Sequence, residues 1–251
     1  MKSTQTAADS SGSARLLTGW LNIKPLHAWS PSPAVRFLLF AEVALFLGVI
    51  AAYMHFALPT GGQVRFVHVA TFIFAGVFPI AMNLLHGDRP RDSGIRLDNL
   101  LKSFKEVGAA TAGMAAGVIV TAAILGSFHW DEPLDVAEHF GGYLGWALVQ
   151  QYWIHAFVVR RLRQAGVGRR MVVVLSAVLF GLMHAPNWPL ALLTGGAALA
   201  WIELFLHTPN IFPMVVSHAF LAVLVRYSLP YSWMHRLTVG GIYLRELANG
   251  G

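Results

Sequence analysis

Apolar residues are gathered into runs far longer than the core-facing stripe of a soluble helix. Stretches on the order of 20 residues, the length that crosses a bilayer's hydrocarbon core, occupy 35–58, 66–86, 108–128, 141–160, 171–188, 189–206 and 210–229. They predict an all-α fold: a polytopic transmembrane helix bundle of about seven to eight helices enclosing an intramembrane cavity. The fifth and sixth runs meet at Pro186-Asn187-Trp188-Pro189. Two prolines forbid one continuous helix there, so a tight turn is expected, with a re-entrant pair as the alternative. In the third run Gly113 and Gly117 stand four residues apart among alanines, a spacing that permits close helix approach in lipid.

Composition agrees with this pattern, since 56% of the 251 residues are hydrophobic and only 12% are charged. The excess of 18 Lys+Arg over 12 Asp+Glu suits an anionic membrane surface. The basic residues lie between apolar runs and are not interleaved with aromatics on a soluble face, which argues against nucleic acid. The chain has no cysteine, which excludes disulfides, thiolate metal ligands and a cysteine nucleophile. Residues 1–29 read as a disordered, then interfacial segment, its second half carrying Leu16, Leu17, Trp20, Leu21, Ile23, Leu26 and Trp29 among polar residues. Residues 30–245 form the membrane domain.

The short loops set an orientation. Arg89, Arg91, Arg96, Lys102 and Lys105 follow the second run, and Arg160, Arg161, Arg163, Arg169 and Arg170 follow the fourth, whereas the segment from Asp131 to Glu138 carries acids and no Lys or Arg. The positive-inside rule puts the basic loops and the N-terminus in the cytoplasm. Arg226, Arg236 and Arg245 argue mildly the other way for the C-terminal tail, a conflict that an eighth span or a re-entrant segment removes.

Polar groups at membrane depth are costly, and they mark the places to look for chemistry. Gln150, Gln151 and His155 fall in the fourth run, Gln151 and His155 four apart on one helical face. Phe180 and His184 repeat that interval in the fifth run, and Ser217 and His218 interrupt the seventh. Each alone reads as interhelical hydrogen bonding; together they suggest one wet pocket. Glu42 and Glu203, also inside apolar runs, are expected to pair with an arginine or to stay neutral and protonated, with substitution for a missing acid as the alternative.

The ordered set Gln150-Gln151-Tyr-Trp-Ile-His155, Phe180-Gly-Leu-Met-His184 and His218-Ala-Phe-Leu-Ala222 resembles the three motifs of the CAAX protease and bacteriocin-processing membrane proteins, which include the type II CAAX prenyl proteases. Those motifs are Glu-Glu-x-x-x-Arg, Phe-x-x-x-His and His-x-x-x-Asn or a variant. The resemblance implies an intramembrane endopeptidase in a bacterial-type inner membrane, with a membrane-embedded or lipidated peptide as substrate. His184 and His218 would be its catalytic core, Gln150 and Gln151 would position water or substrate backbone, and His155, Phe180 and Asn187 would support them; Glu203 matches no family motif and is a supporting candidate only from its place in an apolar run.

The departures bear on activity. Both glutamates are glutamines, and a neutral amide holds water but does not take its proton. His155 replaces the arginine, and Ala222 the asparagine. Three readings follow: a pseudoprotease that binds without cutting, a histidine acting as base, or a zinc site of His155, His184 and His218. No certain cofactor is implied. A solute transporter fits less well, because the sequence shows no internal repeat.

Overall fold

The computed structural model describes residues 31–129 and 133–250. The expected disordered and interfacial segment before residue 30 and the acids Asp131 and Glu132 lie outside them. Every element among the described residues is helical.

Helix α1 (Pro33–Ala52) starts at Ser32, whose Oγ accepts from the Val35 amide, with Pro33 in the first turn where its missing N–H costs nothing. It continues through a π-helical turn (Tyr53–Ala57) and a 3-10 stretch (Leu58–Val64). Helix α2 (Arg65–Leu85) and helix α3 (Leu100–Leu125) follow, α3 ending on Gly126 in the left-handed region. Helix α4 (Pro133–Gln151) runs into a π-helical segment (Tyr152–Val159) and then α5 (Arg160–Gln164). Helices α6 (Arg169–Leu182) and α7 (Trp188–His207) form a hairpin. The turn expected between them is present, and Asn187 caps α7 by accepting from the Leu190 amide. Helix α8 (Ile211–Ser228) is capped by Asn210, and two short helices, α9 (Tyr231–Met234) and α10 (Gly240–Ala248), complete the chain.

Five of these helical stretches have the length and apolarity to cross a membrane: Pro33–Gly62, Arg65–Leu85, Leu100–Leu125, Trp188–His207 and Ile211–Ser228. The fourth and fifth expected runs differ for physical reasons. The α4 stretch carries too many polar residues, and α6 has 14 residues, about 21 Å at 1.5 Å per residue. The C-terminal tail supplies no eighth span, α9 and α10 having 4 and 9 residues.

Side-chain exposure fits a bilayer. Phe37, Phe66, Phe72, Ile124 and Leu192 face outward, while 72% of the α8 window is buried. Helix α8 is thus the central helix, packed against α3 and α4, with the α6–α7 hairpin beside them. The tightest approach is within that hairpin. A Cβ on Gly181 would come within 2.7 Å of the Ala191 carbonyl oxygen, and Gly195 lies opposite. The Gly113 and Gly117 spacing does not serve close approach: a Cβ at either would meet nothing within 4 Å, and Gly117 instead lines a cavity.

At one end of the bundle a buried polar network ties α1, α2 and α5 together. Arg161, fully buried, pairs through Nε with Glu42 Oε2 at 3.0 Å and through Nη1 with Asp88 Oδ2 at 3.1 Å, and donates through Nη2 to Asn83 Oδ1 at 2.6 Å. Arg160 holds the other Asp88 oxygen at 2.5 Å, Gln164 donates to Asp88 at 3.1 Å, and His86 lies 2.7 Å from Glu42. A buried charge persists only when paired and hydrogen-bonded, and each of these has several partners. In the adjoining loop, hydrogen bonds from Arg96 hold the exposed Asp98 carboxyl below its usual range, with Arg91 adding to the effect.

Candidate active site

A cavity of about 670 Å³ opens among α3, α4, α7 and α8 and the C-terminal segment. Its wall is mostly apolar, including Met114, Trp146, Leu193 and Leu221, and Gln150, His184 and His218 are its principal polar groups. The three motif segments therefore converge, although they come from different helices.

Hydrogen bonds assign each imidazole a role. His184 Nδ1 lies 2.8 Å from the Phe180 carbonyl oxygen, one helical turn back. A carbonyl only accepts, so Nδ1 carries the hydrogen and Nε2 of the neutral ring keeps its lone pair. His218 Nδ1 lies 2.9 Å from Gln151 Nε2. An amide nitrogen only donates, so His218 Nδ1 accepts and its Nε2 carries the hydrogen. The two cavity histidines are thus complementary, one a proton acceptor and one a donor. Gln151 is fully buried and its Oε1 has no partner.

Packing fixes both rings. The Phe180 ring stands edge-on to His184 at 5.1 Å and to His218 at 5.9 Å, so one phenyl packs against both imidazoles. Trp201 lies 5.1 Å from His218 on another side. Its Nε1 donates to Ser217 Oγ at 2.9 Å, and Ser217 is 2.6 Å from Thr111 Oγ1. Trp201 and Thr111 were not among the expected site residues. A tryptophan within an apolar run looks like packing until a hydroxyl is found opposite its N–H.

The remaining expected residues fall outside the cavity wall. His155 sits behind Gln151, its Nδ1 donating to the Gln151 carbonyl at 3.1 Å and its ring 4.7 Å from Phe205. The π-helical segment that begins right after Gln151 contains His155, and such insertions often mark functional helices. Asn187 is buried and fully engaged, capping α7 and donating to the Met234 and Thr238 carbonyls at 3.0 and 3.2 Å. Glu203 is exposed and pairs with Arg169 at 2.6 Å, so it does not replace the missing acid; Glu42 belongs to the Arg161 network. The zinc arrangement of His155, His184 and His218 is not supported either. Among the described residues no three His, Asp or Glu side chains gather closely enough to hold one ion, and His155 is turned to Gln151 and Phe205.

Comparison with protein families falls on this region. Residues 139–224 match the Rce1-like family, type II CAAX prenyl endopeptidase Rce1-like. The Rce1-like segment runs from α4 to α8 and contains all three motif positions, in agreement with the resemblance carried by the sequence. No curated protein and no solved structure matches the chain. Within the Rce1-like segment, Ala222 lines the cavity where the third motif usually has asparagine, so that side chain offers no donor.

Proposed function

We propose that this protein is an intramembrane endopeptidase in which a histidine, rather than a glutamate, activates water. The observation that carries the reading is the His184 bond to the Phe180 carbonyl, which leaves the Nε2 lone pair available beside an apolar cavity and opposite a histidine N–H. His184 Nε2 takes a proton from water as its oxygen attacks the peptide carbonyl carbon. The carbonyl oxygen gains the negative charge and accepts from His218 Nε2–H. Collapse breaks the C–N bond, and the proton on His184 passes to the departing amine. Gln151 holds His218 in the required tautomer, and Gln150, which lines the cavity and carries both a donor and an acceptor, pairs with the substrate backbone.

The apolar wall suits a membrane-embedded or lipidated peptide, which the family's prenyl endopeptidase description also favours. The basic loops support an orientation with the N-terminus in the cytoplasm, and the resemblance to the bacteriocin-processing family favours a bacterial-type inner membrane. A second reading, a pseudoprotease that binds the same ligand without cutting it, is favoured by Gln150 and Gln151 in place of glutamates and by Ala222 in place of asparagine.

Quantitative mapping of protein termini in membranes decides between them, comparing cells making the wild-type chain, His184→Ala, or neither. New termini that appear with wild type and fall by roughly 10²–10⁴ in rate of formation with His184→Ala support the protease. Identical termini in all three samples under several growth conditions would sink it in favour of the binding reading.

A further inference from the structure

The segment from Trp233 to Val239 forms one wall of the cavity through Trp233, Met234, Leu237 and Val239, and two features set it apart. Three consecutive residues, His235, Arg236 and Leu237, have φ of 44°, 50° and 65°. This left-handed region is rare for residues with a Cβ and unusual as a run of three. Such strain persists only where surrounding contacts impose it. The buried His235 Nδ1 also lacks a hydrogen bond, the nearest carboxylate oxygen being Glu246 Oε2 at 4.0 Å. As it stands, the segment thus carries both strained backbone and an unsatisfied polar atom.

The segment is held at several points: Arg226 Nη1 donates to the Arg236 carbonyl at 3.2 Å, the His235 ring packs on Tyr231 and Tyr243, and Thr238 Oγ1 donates to Glu246 Oε2 at 2.8 Å. Asn187 Nδ2 donates to the Met234 and Thr238 carbonyls, and the Gly240 amide donates to the Ala185 carbonyl at 3.1 Å. Both grips come from the turn that carries His184. Beyond them the chain is anchored on the π-helical turn and 3-10 stretch that follow α1. A Cβ on Gly240 would come within 2.5 Å of the Met54 carbonyl oxygen, and one on Gly241 would overlap Pro59 and the His55 carbonyl. Backbone therefore lies directly on backbone there, and α10 acts as a fixed hinge post.

We infer that Trp233–Val239 is a strained strap over the cavity, latched by Asn187, which swings away on its α10 anchor to admit the apolar part of a ligand. Opening relieves the left-handed backbone and exposes His235 to partners. Because the latch and His184 share one turn, ligand entry is coupled to the position of the imidazole. The inference rests on the cavity being a ligand site but not on its being hydrolytic.

The chain has no cysteine, so a single introduced thiol reports on opening without any assay of cleavage. Met234→Cys, at a buried cavity position, is labelled with a membrane-permeant maleimide in native membranes, and Val172→Cys, in the core of α6, serves as control. Asn187→Asp keeps the oxygen that caps α7 but removes the amide donors. It is expected to raise the labelling rate at 234 by about tenfold and to leave 172 unchanged. Arg236→Gly removes the steric conflict at a left-handed position and is expected to lower labelling at 234 by roughly threefold. Equal rates at 234 in all three backgrounds, or a parallel rise at 172, overturn the strap. Because no cleavage is measured, failure of the protease reading and failure of the strap are separately visible.

Discussion

Replacing Ser217 by alanine tests how the donor histidine is held. Thr111 Oγ1 lies 2.7 Å from the Val107 carbonyl and 2.6 Å from Ser217 Oγ, and Trp201 Nε1 lies 2.9 Å from the same Ser217 oxygen. Threonine has one hydroxyl hydrogen, and the carbonyl takes it. Ser217 must then donate to Thr111 and accept from Trp201, so the chain has one direction: indole to serine to threonine to backbone. Ser217→Ala orphans only the indole N–H, because Thr111 keeps its carbonyl. Leaving one buried donor unpaired costs about 1–3 kcal/mol in water-soluble proteins. Between helices in lipid the measured couplings average about 0.6 and reach about 1.7 kcal/mol, because the unfolded state in the membrane also finds partners. Ser217 and Trp201 are 3% and 2% exposed, which places this pair in the upper part of that range, about 1–1.7 kcal/mol. A double-mutant cycle isolates the term. Trp201→Phe removes the donor, so Ser217→Ala should cost about 1 kcal/mol less in that background than alone. Unfolding by rising SDS fraction in mixed micelles, followed by circular dichroism, measures it. A coupling below about 0.3 kcal/mol, within the usual additivity error, would refute the directional chain.

Two further outcomes follow from the packing. Arg161→Met should destabilise the protein by about 1–3 kcal/mol in the same micelle assay, because Glu42 is left with His86 alone while Asp88 keeps Arg160 and Gln164; no measurable change would mean that water already reaches the network. Gly181→Ala should cost about 1–3 kcal/mol, since the new methyl meets the Ala191 carbonyl and backbone cannot retreat easily. Gly113→Ala, with open space around it, should be neutral or gain up to about 1 kcal/mol of helix propensity, and the reverse order of these two would refute the assigned helix approach.

The contrast between Gly181 and Gly113 shows why helix approach was only half legible. The four-residue glycine spacing is a statement about one helix, whereas close approach needs a matching surface on the second. Gly195 supplies it for α6, and nothing supplies it for α3. Apolar runs announced the bundle because burial in lipid demands long stretches of one character. They overstated α6, where the apolar sequence continues through Met183 and Ala185 after the helix has already ended. The same locality left the Arg161 network half legible, since Glu42 was expected to pair with an arginine but which one was not readable. Arg160 and Arg161 read as loop charges, because their partners Glu42 and Asp88 lie over 70 residues away in sequence and become neighbours only when α5 returns to α1 and α2.

Of the expected site residues, Gln150, His184 and His218 share one cavity wall, and that juxtaposition was more legible than the hydrogen bonds around it. Helical intervals of four put Phe180 beneath His184 and Gln151 beneath His155, and the order of three motifs on three helices implied convergence. The direction of the protons was not readable, because it depends on which atom faces each ring nitrogen. His184 faces a carbonyl from its own helix and His218 faces an amide from another, and those two contacts make one ring an acceptor and the other a donor. The substitution of glutamine at 151 then has a chemical meaning beyond the loss of a base. A carboxylate at that distance would accept from His218 Nδ1 and turn the Nε2 of a neutral ring into an acceptor, whereas the amide donates and leaves Nε2 protonated toward the cavity. Gln151 therefore suits a site in which His184 handles the proton and His218 handles the charge.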